Sequence, residues 1–153
     1  MKSYQHRWGG YAVIQILVFL HILGALSTGF YLVLPIVAGK LGSWDAQAQS
    51  GAISIVRTLN RVAQFGLIVQ LLTGGYLMTQ GTYSIAWMIV VVVLLLAIAA
   101  FGGIMGKPLR LALADIQQKR DISAHSAKIR SLSIGLAVCV AVISFFMVYR
   151  DII

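Results

Sequence analysis

Four long apolar runs, at 11–37, 62–79, 85–104 and 132–149, limit this chain more than any other feature. They are 18 to 27 residues long, enough for a helix rising about 1.5 Å per residue to cross roughly 30 Å of hydrocarbon. The runs are continuous rather than alternating, which excludes the strands of a β-barrel. Only 10% of the 153 residues are charged and the mean hydropathy is +0.90, where a soluble domain carries about a quarter charged residues. The sequence therefore predicts an all-α polytopic membrane protein, a four-transmembrane-helix bundle with one integral membrane domain over 1–153. The first run is too long for a signal-peptide core and lacks a small-residue cleavage site, so it is expected to be retained. Cys139 is the sole cysteine, which rules out an intrachain disulfide.

The formal charge of +8 is a topology signal and not a sign of nucleic-acid binding. Lys40, Arg57 and Arg61 connect runs one and two, and Lys107, Arg110, Lys119, Arg120, Lys128 and Arg130 connect runs three and four. Only Lys2, Arg7 and Arg150 fall at the opposite level. Basic connections stay on the cytoplasmic side beside anionic lipid, so both termini are expected outside. Tyr4, Trp8, Tyr11, Tyr76, Tyr83, Trp87 and Tyr149 all fall at that outer level, as interfacial aromatics do.

Residues 39–50 read as a polar loop with Ser50 capping the second helix, which starts near Ala52. That start places Arg57 and Arg61 one turn apart at the inner boundary. The short turn 80–84 makes helices two and three antiparallel neighbours. In the segment 108–120, Pro108 suits a first helical position. Leu109, Ala112, Leu113 and Ile116 form a stripe opposite Arg110, Asp115, Lys119 and Arg120. The segment is expected to be an amphipathic helix at the inner surface or an extension of helix three. Asp121 or Ser123 is expected to cap the last helix. Small residues (Ala99 with Gly103, Gly102 with Gly106, and the stripe Ser133, Ala137, Ala141, Ser144) read as helix-packing faces, with homo-oligomerisation expected through them.

Within the spans the informative residue is His21, because an intramembrane ionisable group is costly and a functional candidate by default. Gly24, Ala25, Thr28 and Gly29 follow it at helical spacing. Gln70, with Gly66, Thr73 and Gly74, presents a matching small and polar face on the next helix. The modest reading is an interhelical hydrogen bond from His21 to Gln70. The sharper one makes His21 an axial ligand to haem b, with Gly24, Ala25 and Thr28 walling the ring, Gln70 orienting the imidazole and Arg57 and Arg61 on the propionates. His6 and His125 lie far along the chain from mid-membrane and cannot share an iron with His21. Copper is the alternative: Met78, Met88 and Met147 fall at similar depth, and thioethers with imidazole suit Cu(I). No Asp or Glu lies within any span, which argues against proton-coupled cation antiport. No nucleotide-binding loop, triad or paired carboxylate is present, so the residues specify no reaction.

A histidine in an HxxGA segment, an arginine-flanked second helix ending in LLTGGYLM and a Trp-led third helix with a basic tail resemble a superfamily of bacterial four-helix membrane proteins. It includes an uncharacterised integral membrane family, the membrane domain of copper-resistance D proteins and the four-helix protoporphyrinogen oxidase. The resemblance implies that His21 corresponds to the first-helix histidine, associated with haem b in the oxidase branch. That branch also relies on a third-helix lysine, for which the nearest residue is Lys107, and Leu26-Ser27-Thr28-Gly29 stands where Trp-Gly-Gly often follows the histidine. The uncharacterised family is the closest match on these grounds.

Overall fold

The first apolar run does not fold as one helix. The computed structural model describes residues 2–150, with side chains from residue 11 onward. The side chains of Lys2, Tyr4, His6, Arg7 and Trp8 lie outside that description. Helix α1 (Lys2–Thr28) ends in a 3₁₀ turn, Gly29–Leu32, and the chain resumes as α2 (Leu34–Lys40). Pro35 stands in the first turn of α2. Its ring has no N–H and would clash with the carbonyl four residues back, so the break falls where an uninterrupted helix would be strained. Ser27 and Thr28 weaken the same stretch, since their hydroxyls donate to the carbonyls of Gly24 at 2.6 Å and Ala25 at 2.8 Å.

Three long helices complete the bundle: α3 (Ala46–Gln80), α4 (Ile85–Gln117) and α5 (Ser123–Val148). The chain is an all-α, multi-pass membrane protein with four segments long and apolar enough to cross a bilayer. Large apolar side chains such as Phe19, Leu26, Phe65, Leu72 and Val93 stay exposed on the outer surface of the bundle, the pattern of a protein solvated by lipid. At 35 and 33 residues, α3 and α4 are about 50 Å long and overrun the hydrocarbon by about 20 Å.

Several boundaries differ from those the sequence suggests. The cap of α3 is Asp45, whose carboxylate accepts from the Ala48 N–H at 2.8 Å, so the helix begins well before Ser50. Of the two readings of 108–120, the extension is correct: α4 runs straight through a buried Pro108 to Gln117. Leu109 and Ala112 are fully buried and join the core, while Arg110 faces outward. At the start of α5 both named residues act together, as Asp121 accepts from the Ser123 N–H at 3.0 Å and the Ser123 hydroxyl at 2.6 Å.

Packing divides the molecule into two halves, called inner at the cationic end of the helices and outer at the end that carries Tyr83 and Arg150. In the inner half α2 and the 3₁₀ turn lie against α5, closing a ring of helices around Tyr31, Ile53, Ile98, Met105, Leu109, Ile129 and Leu136. In the outer half α1 packs on α3, α3 on α4 and α4 on α5, while α1 and α5 make at most a glancing contact. The core thus sits toward the cationic end, and the outer half is open on one side.

Candidate functional site

His21 lines that opening. Its imidazole rests on the bare backbone of Gly74, where a Cβ would stand 2.9 Å from the ring carbon Cε1. The ring nitrogen Nδ1 lies 3.0 Å from Thr73 Oγ1. The Thr73 hydroxyl proton is already engaged, because Oγ1 donates to the Val69 carbonyl at 2.7 Å. With that bond made, Thr73 Oγ1 is an acceptor for His21, an arrangement that favours the Nδ1–H tautomer of the neutral ring. The Gln70 backbone is a second hydrogen-bond partner of the ring, so the imidazole is held against α3 on the wall of the opening.

The cleft beside it encloses about 200 Å³ and draws on four helices: His21 from α1, Gln70 and Met78 from α3, Trp87, Val91 and Leu95 from α4, and Ile143 and Met147 from α5. Trp87 holds the far wall, donating its indole N–H to the Phe146 carbonyl at 2.8 Å and stacking on Tyr83 with ring centroids 4.9 Å apart. Arg150 lies at the rim, its guanidinium 6.0 Å from the Tyr83 ring centroid. The site is therefore apolar along its walls, basic at its outer edge and polar at one point inside.

The sequence-derived candidates separate into three groups. His21, Gln70, Met78 and Met147 come together in this cleft, while Met88 does not line it. Gln70 does not orient His21 through its amide, as the sequence suggests; Thr73 does so, and the Gln70 side-chain stem lies against Gly24. The space around Gly24 is taken by α3, since a Cβ there would come within 2.8 Å of the Gly66 carbonyl oxygen. Thr28 is buried and Ala25 faces outward, so neither joins His21 in the cleft. Of the three, Gly24 serves the α1–α3 contact.

Arg57 and Arg61 form the third group. They precede Thr73 by 16 and 12 residues, about 24 and 18 Å along the helix axis. They line a separate inner groove with Lys107 and Arg110. His125 pairs with Asp115 at 3.1 Å, far from His21. Among the described residues no cluster of three His, Cys, Asp or Glu side chains is placed to hold a metal.

Sequence reasoning missed a polar network in the inner half. The Tyr31 hydroxyl donates to Asn60 Oδ1 at 2.9 Å, and Asn60 Nδ2 donates to the Gly102 carbonyl at 3.0 Å. Gln64 reaches the Tyr31 hydroxyl at 3.4 Å. Gly102 makes this possible, for a Cβ there would meet the Tyr31 oxygen at 2.7 Å and collide with the Gln64 amide. The signal was obscured by the helix boundary: counted from Asp45, Asn60 is four turns into α3, inside the bundle. Comparison of the chain with protein families, curated proteins and solved structures finds no match.

Proposed function

We propose that the outer cleft is a cofactor site in which His21 Nε2 is the ligand atom and haem b the group it best suits. The observation that carries this reading is an imidazole anchored through Nδ1 to Thr73 on the wall of an apolar cleft. The donor chemistry fits: an imidazole inside, thioethers of Met78 and Met147 on the facing helices, apolar walls, and a cation at the rim suited to a propionate. Arg150 takes the role that the sequence suggests for Arg57 and Arg61. At about 200 Å³ the cleft is smaller than the roughly 300–1,000 Å³ of sites that enclose a drug-sized ligand. A bound haem would leave an edge in lipid or against a second copy of the chain. Such a group would supply one-electron chemistry, and the role of these residues is to orient it and exclude water. This reading, the membership of the resembling superfamily and a bacterial plasma-membrane location with outward termini stand or fall separately.

The absorption spectrum of the detergent-purified protein, before and after haem reconstitution, tests the site. The expected result is a Soret band lost in His21→Ala and weakened about 10- to 100-fold in affinity by Thr73→Val, which removes the orienting oxygen. A protein that takes up no haem sinks this reading. The placement of Met78 and Met147 in the same cleft favours Cu(I) as the second reading. Competition titration checks it, with unchanged affinity in Met78→Leu and Met147→Leu rejecting the thioether site.

A further inference from the structure

The inner groove has a chemistry of its own. Arg57 and Arg61 from α3 and Lys107 and Arg110 from α4 line a space of about 340 Å³. No carboxylate lines it, and the His125–Asp115 pair is the one ion pair among the described residues. Four cations thus line one groove without a counter-charge from the chain, an arrangement that repels itself until an anion enters.

Its shape comes from Gly103 and Gly106. A Cβ at either position would meet no atom within 4 Å. Where Gly102 brings helices together, these two glycines hold a trough open between the cations. Asn60 closes one corner, its carbonyl and amide already joined to Tyr31 and Gly102.

Depth points to the membrane surface. Arg61 lies 19 residues from the outer end of α3, and Lys107 22 residues from that of α4. These distances are about 29 and 33 Å, one hydrocarbon thickness. The groove therefore stands at headgroup level, at the inner boundary of the bilayer. Basic pockets between transmembrane helices at this depth suit phosphate headgroups.

We infer that this groove binds a bisphosphate anion, in the form of a diphosphatidyl lipid headgroup lying between α3 and α4. Two phosphates match four cations drawn from two helices, whereas a single phosphate leaves half of them without a partner. A soluble diphosphate shares this chemistry, and the assay separates the two.

The test uses the full chain in detergent, with native mass spectrometry and thermal shift. The probes are diphosphatidylglycerol, phosphatidylcholine and inorganic pyrophosphate. Diphosphatidylglycerol is expected to bind and raise Tm, with phosphatidylcholine and pyrophosphate having little effect. Arg61→Gln with Arg110→Gln is expected to weaken binding by about 25-fold, about fivefold per charge. The deciding variant is Gly103→Leu with Gly106→Leu, which keeps every charge and fills the trough. It too should lose diphosphatidylglycerol, and Gly103→Leu alone provides the same readout if the double variant folds poorly. Binding by the filled variant at wild-type strength would show mere surface attraction and overturn the proposal. So would preference for pyrophosphate over the lipid, or no preference for diphosphatidylglycerol over phosphatidylcholine.

Discussion

The two halves of the bundle treat their polar groups in opposite ways. Toward the inner end, Tyr31, Asn60, Gln64 and the Gly102 carbonyl satisfy one another inside a closed ring of helices. Toward the outer end, His21 is tied through Nδ1 to Thr73 and lines a cleft, where α1 and α5 make at most a glancing contact. A buried network with all partners present strengthens a fold. The difference teaches that polarity inside a membrane protein is not itself a mark of function. What distinguishes the two is an ionisable ring next to unfilled space.

Substitutions can break this contrast. The largest effect is expected at Gly102→Leu, which drives a side chain into Tyr31 and Gln64 and should cost about 3 kcal/mol. Its neighbour Gly103→Leu, with open space before it, should leave thermal unfolding in detergent unchanged. Equal losses at the two positions would contradict the assignment of one to packing and the other to the groove. Asn60→Ala comes next, at about 1–2 kcal/mol, because it strips partners from the Tyr31 hydroxyl and the Gly102 carbonyl.

His21→Ala should cost less stability than Asn60→Ala, about 0.6 kcal/mol for one interhelical hydrogen bond, while abolishing ligand binding. A Tm loss in His21→Ala exceeding that in Asn60→Ala would reverse the comparison and make His21 structural. The smallest effect belongs to neither half. The Ser123 hydroxyl, and then its backbone N–H, hold the Asp121 carboxyl below its ordinary value. A lowered carboxylate contributes stability above its unfolded range and loses it as pH falls through the lowered value. Amide exchange at the start of α5 should therefore quicken on acidification below the usual carboxylate range, after correction for intrinsic rates. Protection unchanged across that range would count against the Asp121 cap.

Much of this was legible in the chain because hydrocarbon imposes simple rules. Span number, helix class, the basic inner end and the meeting of His21 with the Gln70–Gly74 face follow from run length, charge and helical spacing. The inner extension of α4 was readable as one of two options. Direction within a helix face was harder. Gln70 and Thr73 both lie near His21, and only side-chain geometry separates the amide that packs on Gly24 from the hydroxyl that holds the ring. Spacing also cannot tell a glycine that admits a helix, as Gly24 and Gly102 do, from one that leaves a trough, as Gly103 and Gly106 do. Asn60 stands two residues before the apolar run at 62–79, a level that hydropathy assigns to the membrane edge, while the closed part of the bundle extends past it.

The break at Gly29–Leu32 has a practical consequence. By turning the lower part of the first span toward α5, it leaves the upper part leaning on α3, with α1 and α5 in no more than glancing contact beside the cleft. A ligand that reaches His21 by this route arrives from solution in the bilayer. Its occupancy then follows its mole fraction in lipid and not its molarity in water. Doubling the detergent at fixed ligand would halve the effective dose, so titrations of this cleft have meaning only at a stated lipid or detergent ratio.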